Sequence, residues 1–192
     1  MNLKQMNMKK LKKDQRGITL IELVIAIALT GVITAAITMS IFQVFNINTR
    51  TSNHMAAVSQ VQHADKLVRE DIMEAQNVDT GDDPGTPELE LLTLTWKEGG
   101  TEIPHEVIYT LEDMSSGEFK ILWRYYYINP DINSAPVSTT KVAEYIDPDQ
   151  TSCCCDCDGD CNCDDAVVIF TVTANVGGQS ETRVYEVMPR AG

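Results

Sequence analysis

"RGITLIELVIAIALTGVITAAITMSIFQVF", residues 16–45, decides how the rest of the chain is read. From Ile18 to Phe45 it holds 28 residues with one charge, Glu22, and no proline. A helix of ~20 apolar residues crosses a bilayer core, so this run is long enough to span. Glu22 sits near its start. A carboxylate inside a membrane costs up to ~3 kcal/mol near the centre and less near an end, so one that is kept there needs a partner.

Charge divides the chain into three. The first 17 residues carry six Lys/Arg against one Asp, while the whole chain is −13, which leaves −18 on the remainder. A basic head, an apolar stem and an acidic body follow in that order. Basic residues stay on the cytoplasmic side of a first span, which places the body outside the cytoplasmic membrane. An acidic body repels phosphates, so no nucleic-acid binding is expected of it. A cleaved secretory signal has a shorter apolar stretch closed by small residues. The run here is too long for that, and length and charge alone also suit a plain signal anchor.

The residues "KKDQRG" followed by "ITLIELVIAIALTGVI" resemble the leader of type IV pilins and type II secretion pseudopilins. The resemblance implies that a prepilin peptidase cuts between Gly17 and Ile18 on the cytoplasmic face and methylates the new amine of Ile18. Ile18 stands where phenylalanine is usual. Thr19, Leu20, Ile21 and Glu22 fit the family's T-L-I-E run. The resemblance also implies that Glu22 of one subunit meets the N-terminal amine of a neighbour. Such a pair is tolerable in an apolar core where an unpaired charge is not, and it sets axial register. Other pilins or pseudopilins, the peptidase and the cytoplasmic membrane are the partners implied.

The stem carries its own assembly marks. Gly31 and Ala35 are spaced small-xxx-small, which lets helices approach closely. Thr30, Thr34 and Thr38 lie on one face, suited either to interhelical contact or to bonds back to their own helix. Beyond Phe45, Val58, Val61, Ala64, Val68, Ile72 and Ala75 recur at three or four residues, the mark of an amphipathic helix. One helix over 18–77 would be roughly 90 Å long at ~1.5 Å per residue. The polar run 46–53 would suit a bend or a frayed turn.

The breaker-rich "DTGDDPGTPE", residues 79–88, opens the body. Strands are expected over 89–96, 103–111, 119–128, 141–146, 166–174 and 183–188. The expected fold is α+β, a type IV pilin fold with a long N-terminal helix packed on an antiparallel sheet. The expected parts are a leader, 1–17, removed; a membrane or fibre-core helix, 18–45; an amphipathic continuation, 46–78; and a β-rich extracytoplasmic body, 79–192. Trp96, Trp123 and Tyr125 to Tyr127 suit core and sheet-face packing better than a stacking platform. His54, His63 and His105 read as surface or helix-face residues, not ligands. "VSQVQHADKLVREDIMEA", "VIYTLED" with "KILWRYYY", "KVAEYI" and "ETRVYEVMPR" resemble the corresponding segments of J-type pseudopilins and W-type minor pilins.

All six cysteines fall in a loop expected over 151–165: Cys153, Cys154, Cys155, Cys157, Cys161 and Cys163. An even count in an oxidising compartment points to disulfides, with 15 pairings open. Asp156, Asp158, Asp160, Asn162 and Asp164 alternate through the same loop and offer oxygens that would suit calcium, although the spacing is not an EF-hand. Thiolate binding of zinc is a third reading.

A structural subunit of a pilus or pseudopilus is the function expected, a minor pilin or pseudopilin placed at or near the tip, and not an enzyme. The chain shows no G-x-S-x-G, H-E-x-x-H or phosphate loop. The rival is a membrane-anchored metal-binding or redox protein acting through the Cys/Asp loop.

Overall fold

The computed structural model describes residues 17–80, 89–97, 103–115, 117–130, 135–155 and 167–190. The chain forms two compact units, residues 1–47 and 48–192. A single helix, α1 (Leu20–Glu74), contributes to both.

In the first unit every described residue, from Gly17 to Ile47, is exposed. Apolar side chains occupy all faces of the helix here, with Leu20 80% and Val32 69% exposed. A helix that is apolar all round belongs in lipid or among other helices. Among the described residues α1 is the one helix long and apolar enough to cross a membrane. The polar run 46–53, where a bend was expected, stays helical. Extending an existing helix costs far less than starting one, so a few weak formers do not break it.

In the second unit α1 buries one stripe: Ala57, Val61, Ala64, Val68 and Ile72, followed by Ala75 just past its end. The stripe begins at Ala57 and not at Val58, which is only half-buried. Spacings of four, three, four and four keep it on one side of the helix, and Val58 falls one residue off that line.

The stripe packs on an antiparallel sheet with eight strands among the described residues. These are β1 (Asn77–Asp79), β2 (Leu89–Lys97), β3 (Pro104–Asp113), β4 (Lys120–Ile128), β5 (Ser138–Ile146), β6 (Ser152–Cys155), β7 (Val168–Val176) and β8 (Gln179–Val187). β1 to β5 follow one another as antiparallel neighbours. β8 pairs with the whole length of β7, so β5 and β6 share the other edge of β7. Ile146 lies opposite Ala174, and Ser152 to Cys155 lie opposite Thr171 to Val168. A 3-10 turn, Pro148–Gln150, interrupts that edge. At Ile146 β5 is paired on both sides, with Lys120 of β4 and Ala174 of β7, and Tyr145 takes a positive φ of 60° beside the register shifts in the β4–β5 ladder. Leu92, Leu94, Val107, Tyr109, Leu111, Leu122, Ile146, Phe170 and Val172 fill the helix-facing side.

Some expected boundaries move. The helix stops at Glu74, and Asn77 opens β1, a strand not expected, held by Gln76 N–H donating to Thr95 O at 3.0 Å. β5 and β8 begin at Ser138 and Gln179, not at Lys141 and Arg183. Their polar first halves look like loop, and pairing with β4 and β7 makes them strand. Cys153 to Cys155 belong to β6, so this end of the expected loop is strand. The β7–β8 turn needs Gly177 and Gly178, at φ 56° and 78°. At Gly177 a Cβ would also lie 2.2 Å from the Asn53 side chain, so helix and hairpin tip fit closely there.

One ion pair fixes how helix and sheet meet. Asp71 sits on the buried stripe and is 8% exposed. Arg124 of β4 reaches it twice, with Nε to Oδ2 at 2.6 Å and Nη2 to Oδ1 at 2.9 Å. Tyr109 of β3 donates its hydroxyl to the same carboxylate. Burial, then the Asp71 charge and hydrogen bond, push the Tyr109 phenol up; the Asp71 hydrogen bond leads in holding the Arg124 guanidinium up. Removing one partner of a buried pair strands the other. Asp71→Ala should destabilise the body by about 3–5 kcal/mol, and Tyr109→Phe by about 1.5–3 kcal/mol. Urea unfolding of the full chain in detergent, followed by tryptophan fluorescence, measures both.

Candidate processing and assembly site

The helix does not begin at the expected cleavage position. Gly17, Ile18 and Thr19 are non-helical, and α1 starts at Leu20. Thr19 is the N-cap. Its carbonyl accepts the Leu23 N–H at 3.2 Å, and its Oγ1 accepts the Glu22 N–H at 3.4 Å. Glu22 reaches back: its Oε2 accepts the Thr19 N–H at 3.0 Å and the Thr19 hydroxyl at 2.9 Å. This is the reciprocal capping box of T-x-x-E. The carboxylate in the apolar run therefore has a partner within its own chain, a pairing the sequence displays in Thr19 and Glu22 three residues apart. The resemblance pointed instead to a partner on a neighbour.

Among the described residues nothing requires glycine at Gly17 or Gly31. A Cβ built on either meets nothing within 4 Å. Neither has the positive φ that would demand glycine. Gly31 and Ala35 lie on one helix face with Ala26, Ile27, Thr30, Thr34, Thr38, Met39 and Phe42. The threonine hydroxyls turn inward. Thr30 donates to Ala26 O at 2.7 Å, Thr34 to Thr30 O and Thr38 to Thr34 O, both at 2.8 Å. Back-bonding to the helix is the state of the single chain, and it leaves this face nearly apolar.

In the body, two of the three histidines are engaged. His63 Nδ1 lies 2.6 Å from Val142 O, and a carbonyl can only accept, so Nδ1 carries the proton. Gln60 accepts the neighbouring Glu144 N–H at 2.8 Å. These helix side chains satisfy backbone groups of β5 beside the register shifts of its ladder with β4. His105, Trp96 and Tyr126 form a mutual cluster of near-parallel rings, with centroids 5.5 Å (Trp96–His105), 6.0 Å (His105–Tyr126) and 6.2 Å (Trp96–Tyr126) apart, and His105 Nδ1 is 2.7 Å from the Tyr126 hydroxyl. Trp96 and Tyr126 pack against the core, while Trp123, Tyr125 and Tyr127 alternate to the opposite face and are half-buried. Among the described residues no group of three His, Cys, Asp or Glu could hold a metal.

Cys157, Cys161 and Cys163, and the calcium candidates Asp156, Asp158, Asp160, Asn162 and Asp164, lie outside the described residues, as does the leader up to Arg16. Cys153 and Cys154 are free thiols. On β6, Cys153 and Cys155 face the core and Cys154 is exposed. Burial, with the neighbouring Cys154 second, pushes the Cys153 thiol up to about 12.

Residues 12–38 match the family model described as a prokaryotic N-terminal methylation motif. No curated protein and no solved structure matches the chain. The match spans the leader's end, Gly17, the capping box and the apolar run as far as Thr38. The chain therefore carries the signal of type IV pilins and pseudopilins, the substrates of prepilin peptidase. Its fold, a long N-terminal helix on a curled antiparallel sheet, is type IV pilin-like.

The thiolate is the reactive form of cysteine. At pH 8 iodoacetamide should therefore modify Cys154 readily and Cys153 only after unfolding. Peptide mapping by mass spectrometry before and after denaturation checks the order; equal rates in the native chain would contradict it.

Proposed function

We propose that the chain is a structural, non-enzymatic subunit, a minor pilin or pseudopilin, assembled through α1 into a type IV pilus or a type II secretion pseudopilus. The observation that carries this reading is the methylation motif at residues 12–38, continuous with a helix exposed on every face. The peptidase removes residues 1–17 and methylates Ile18. Residues 18–45 anchor the chain in the cytoplasmic membrane, with the basic leader on the cytoplasmic side and the acidic body outside. On assembly the same residues leave lipid for a bundle of neighbouring helices, with the Gly31/Ala35 face available for close approach. Absence of proline from the apolar run, and the resemblance of the body segments to J-type pseudopilins and W-type minor pilins, favour a minor pilin or pseudopilin over a major pilin, and its proposed place is at or near the tip.

In the assembled state the carboxylate of Glu22 takes the amine of a neighbouring Ile18, which sets the axial register. An amine left without that carboxylate would be a buried unpaired charge.

Co-expression with a prepilin peptidase should release a chain that begins at Ile18, methylated on its amine. Mass spectrometry of the intact chain reads this directly. An uncut Met1 terminus, or cutting after the apolar run, contradicts it. Glu22→Ala should still be cut yet enter filaments poorly, as judged by blotting of sheared fractions. Normal incorporation of that variant would remove the pairing from the account.

A further inference from the structure

The T-L-I-E run contains two polar side chains, and the amine-pairing account uses only Glu22. Thr19 makes four of the contacts that define where α1 begins: it accepts the Leu23 and Glu22 N–H groups, and gives its own N–H and hydroxyl to Glu22. Carrying the helix one turn further upstream would require the Thr19 N–H to bond a carbonyl four residues back. It would also turn the Thr19 backbone helical and withdraw its Oγ1 from the Glu22 N–H. Both bonds of the box oppose that, because an N-cap residue is held outside helical geometry. The peptide bond between Gly17 and Ile18 lies immediately outside the box, in backbone that is non-helical and exposed. A peptidase needs its substrate backbone free of intrachain hydrogen bonds, since it must make its own bonds to that backbone. Gly17 adds the absence of a side chain, and among the described residues nothing crowds it.

We propose that Thr19 is a positioning residue for leader removal: through its capping box with Glu22 it stops α1 at Leu20 and keeps the Gly17–Ile18 bond in accessible, non-helical backbone. The inference rests on the reading of the chain as a prepilin peptidase substrate and adds the residue that presents the bond. Glu22 then has two successive partners. Before cutting and assembly its carboxylate is held by Thr19 of its own chain, and in the filament it is offered to an amine.

The test uses the full chain in detergent micelles with a purified prepilin peptidase. Initial rates are measured for the wild type, Thr19→Val and Thr19→Ser. Valine keeps the branched shape and loses the hydroxyl; serine keeps the cap. Loss of an N-cap shifts a helix-start equilibrium by about five- to tenfold. Cleavage of Thr19→Val should slow by about that factor, while Thr19→Ser stays within about twofold of the wild type. Backbone carbon chemical shifts of residues 17–22 should move in the valine variant and not in the serine variant. Thr19→Val cut at the wild-type rate overturns the inference. Slow cutting with unmoved shifts overturns it too, because the peptidase would then be reading the hydroxyl itself. A wild-type chain that is not cut at all defeats the substrate reading, a result separate from either.

Discussion

The body depends on one buried contact, the fork of Arg124 on Asp71 closed by the Tyr109 hydroxyl. Apolar burial brings the Ala57–Ile72 stripe to the sheet, but alanines and valines at three- and four-residue spacing would tolerate some sliding along a flat apolar surface. A carboxylate on that stripe does not tolerate it. Displaced along the sheet, Asp71 loses the bidentate fit, and Arg124 is left charged beneath a helix. The pair's value lies more in fixing one arrangement than in net stability, since a buried ion pair offsets much of its own attraction by desolvation. Arg124 also lies over the Tyr126 ring at 5.5 Å, and Tyr126 stacks with His105 and Trp96. The polar contact is thus continued by an aromatic cluster on the helix-facing side of β2, β3 and β4.

The chain meets two environments along one helix. From Gly17 to Ile47 there is no stripe, because every face is apolar and all are exposed; from Ala57 onward one face is buried and the others are polar. At each end of the helix a device stops it. At the start, Thr19 and Glu22 close a capping box. At the far end, the Gln76 N–H turns away to Thr95 O of β2 at 3.0 Å, and Arg190 donates its N–H to Ala75 O at 3.1 Å. Each device gives unpaired terminal backbone groups a partner.

Much of this could be read in advance. The methylation motif, the helix, the change from an apolar run to a stripe and most strands were legible, because periods of 3.6 and 2 are local properties. Asp71 was not singled out, although it stands between Val68 and Ile72 on the stripe. Its neighbours Arg69 and Glu70 made it look like part of a solvated charged run. Arg124 stood in the same way between Leu122 and Tyr126. The signal available was two opposite charges at core-facing positions, 53 residues apart, and no local rule joins them. The capping box was within reach, since T-x-x-E before an apolar run is its pattern, but the resemblance drew attention to Glu22 alone. β8 and the start of β5 were short-read because Gln179 to Thr182 and Ser138 to Thr140 are polar, and only their ladders make them strand.

The central claim is that α1 is an assembly stem released for use by leader removal. Recovery of the chain in filaments sheared from host cells, compared with the same cells lacking prepilin peptidase, tests it most directly. The account predicts the chain in the sheared fraction when the peptidase is present and in the membrane alone when it is missing. A chain that stays in the membrane fraction in both cells, or that enters filaments uncut, would contradict it.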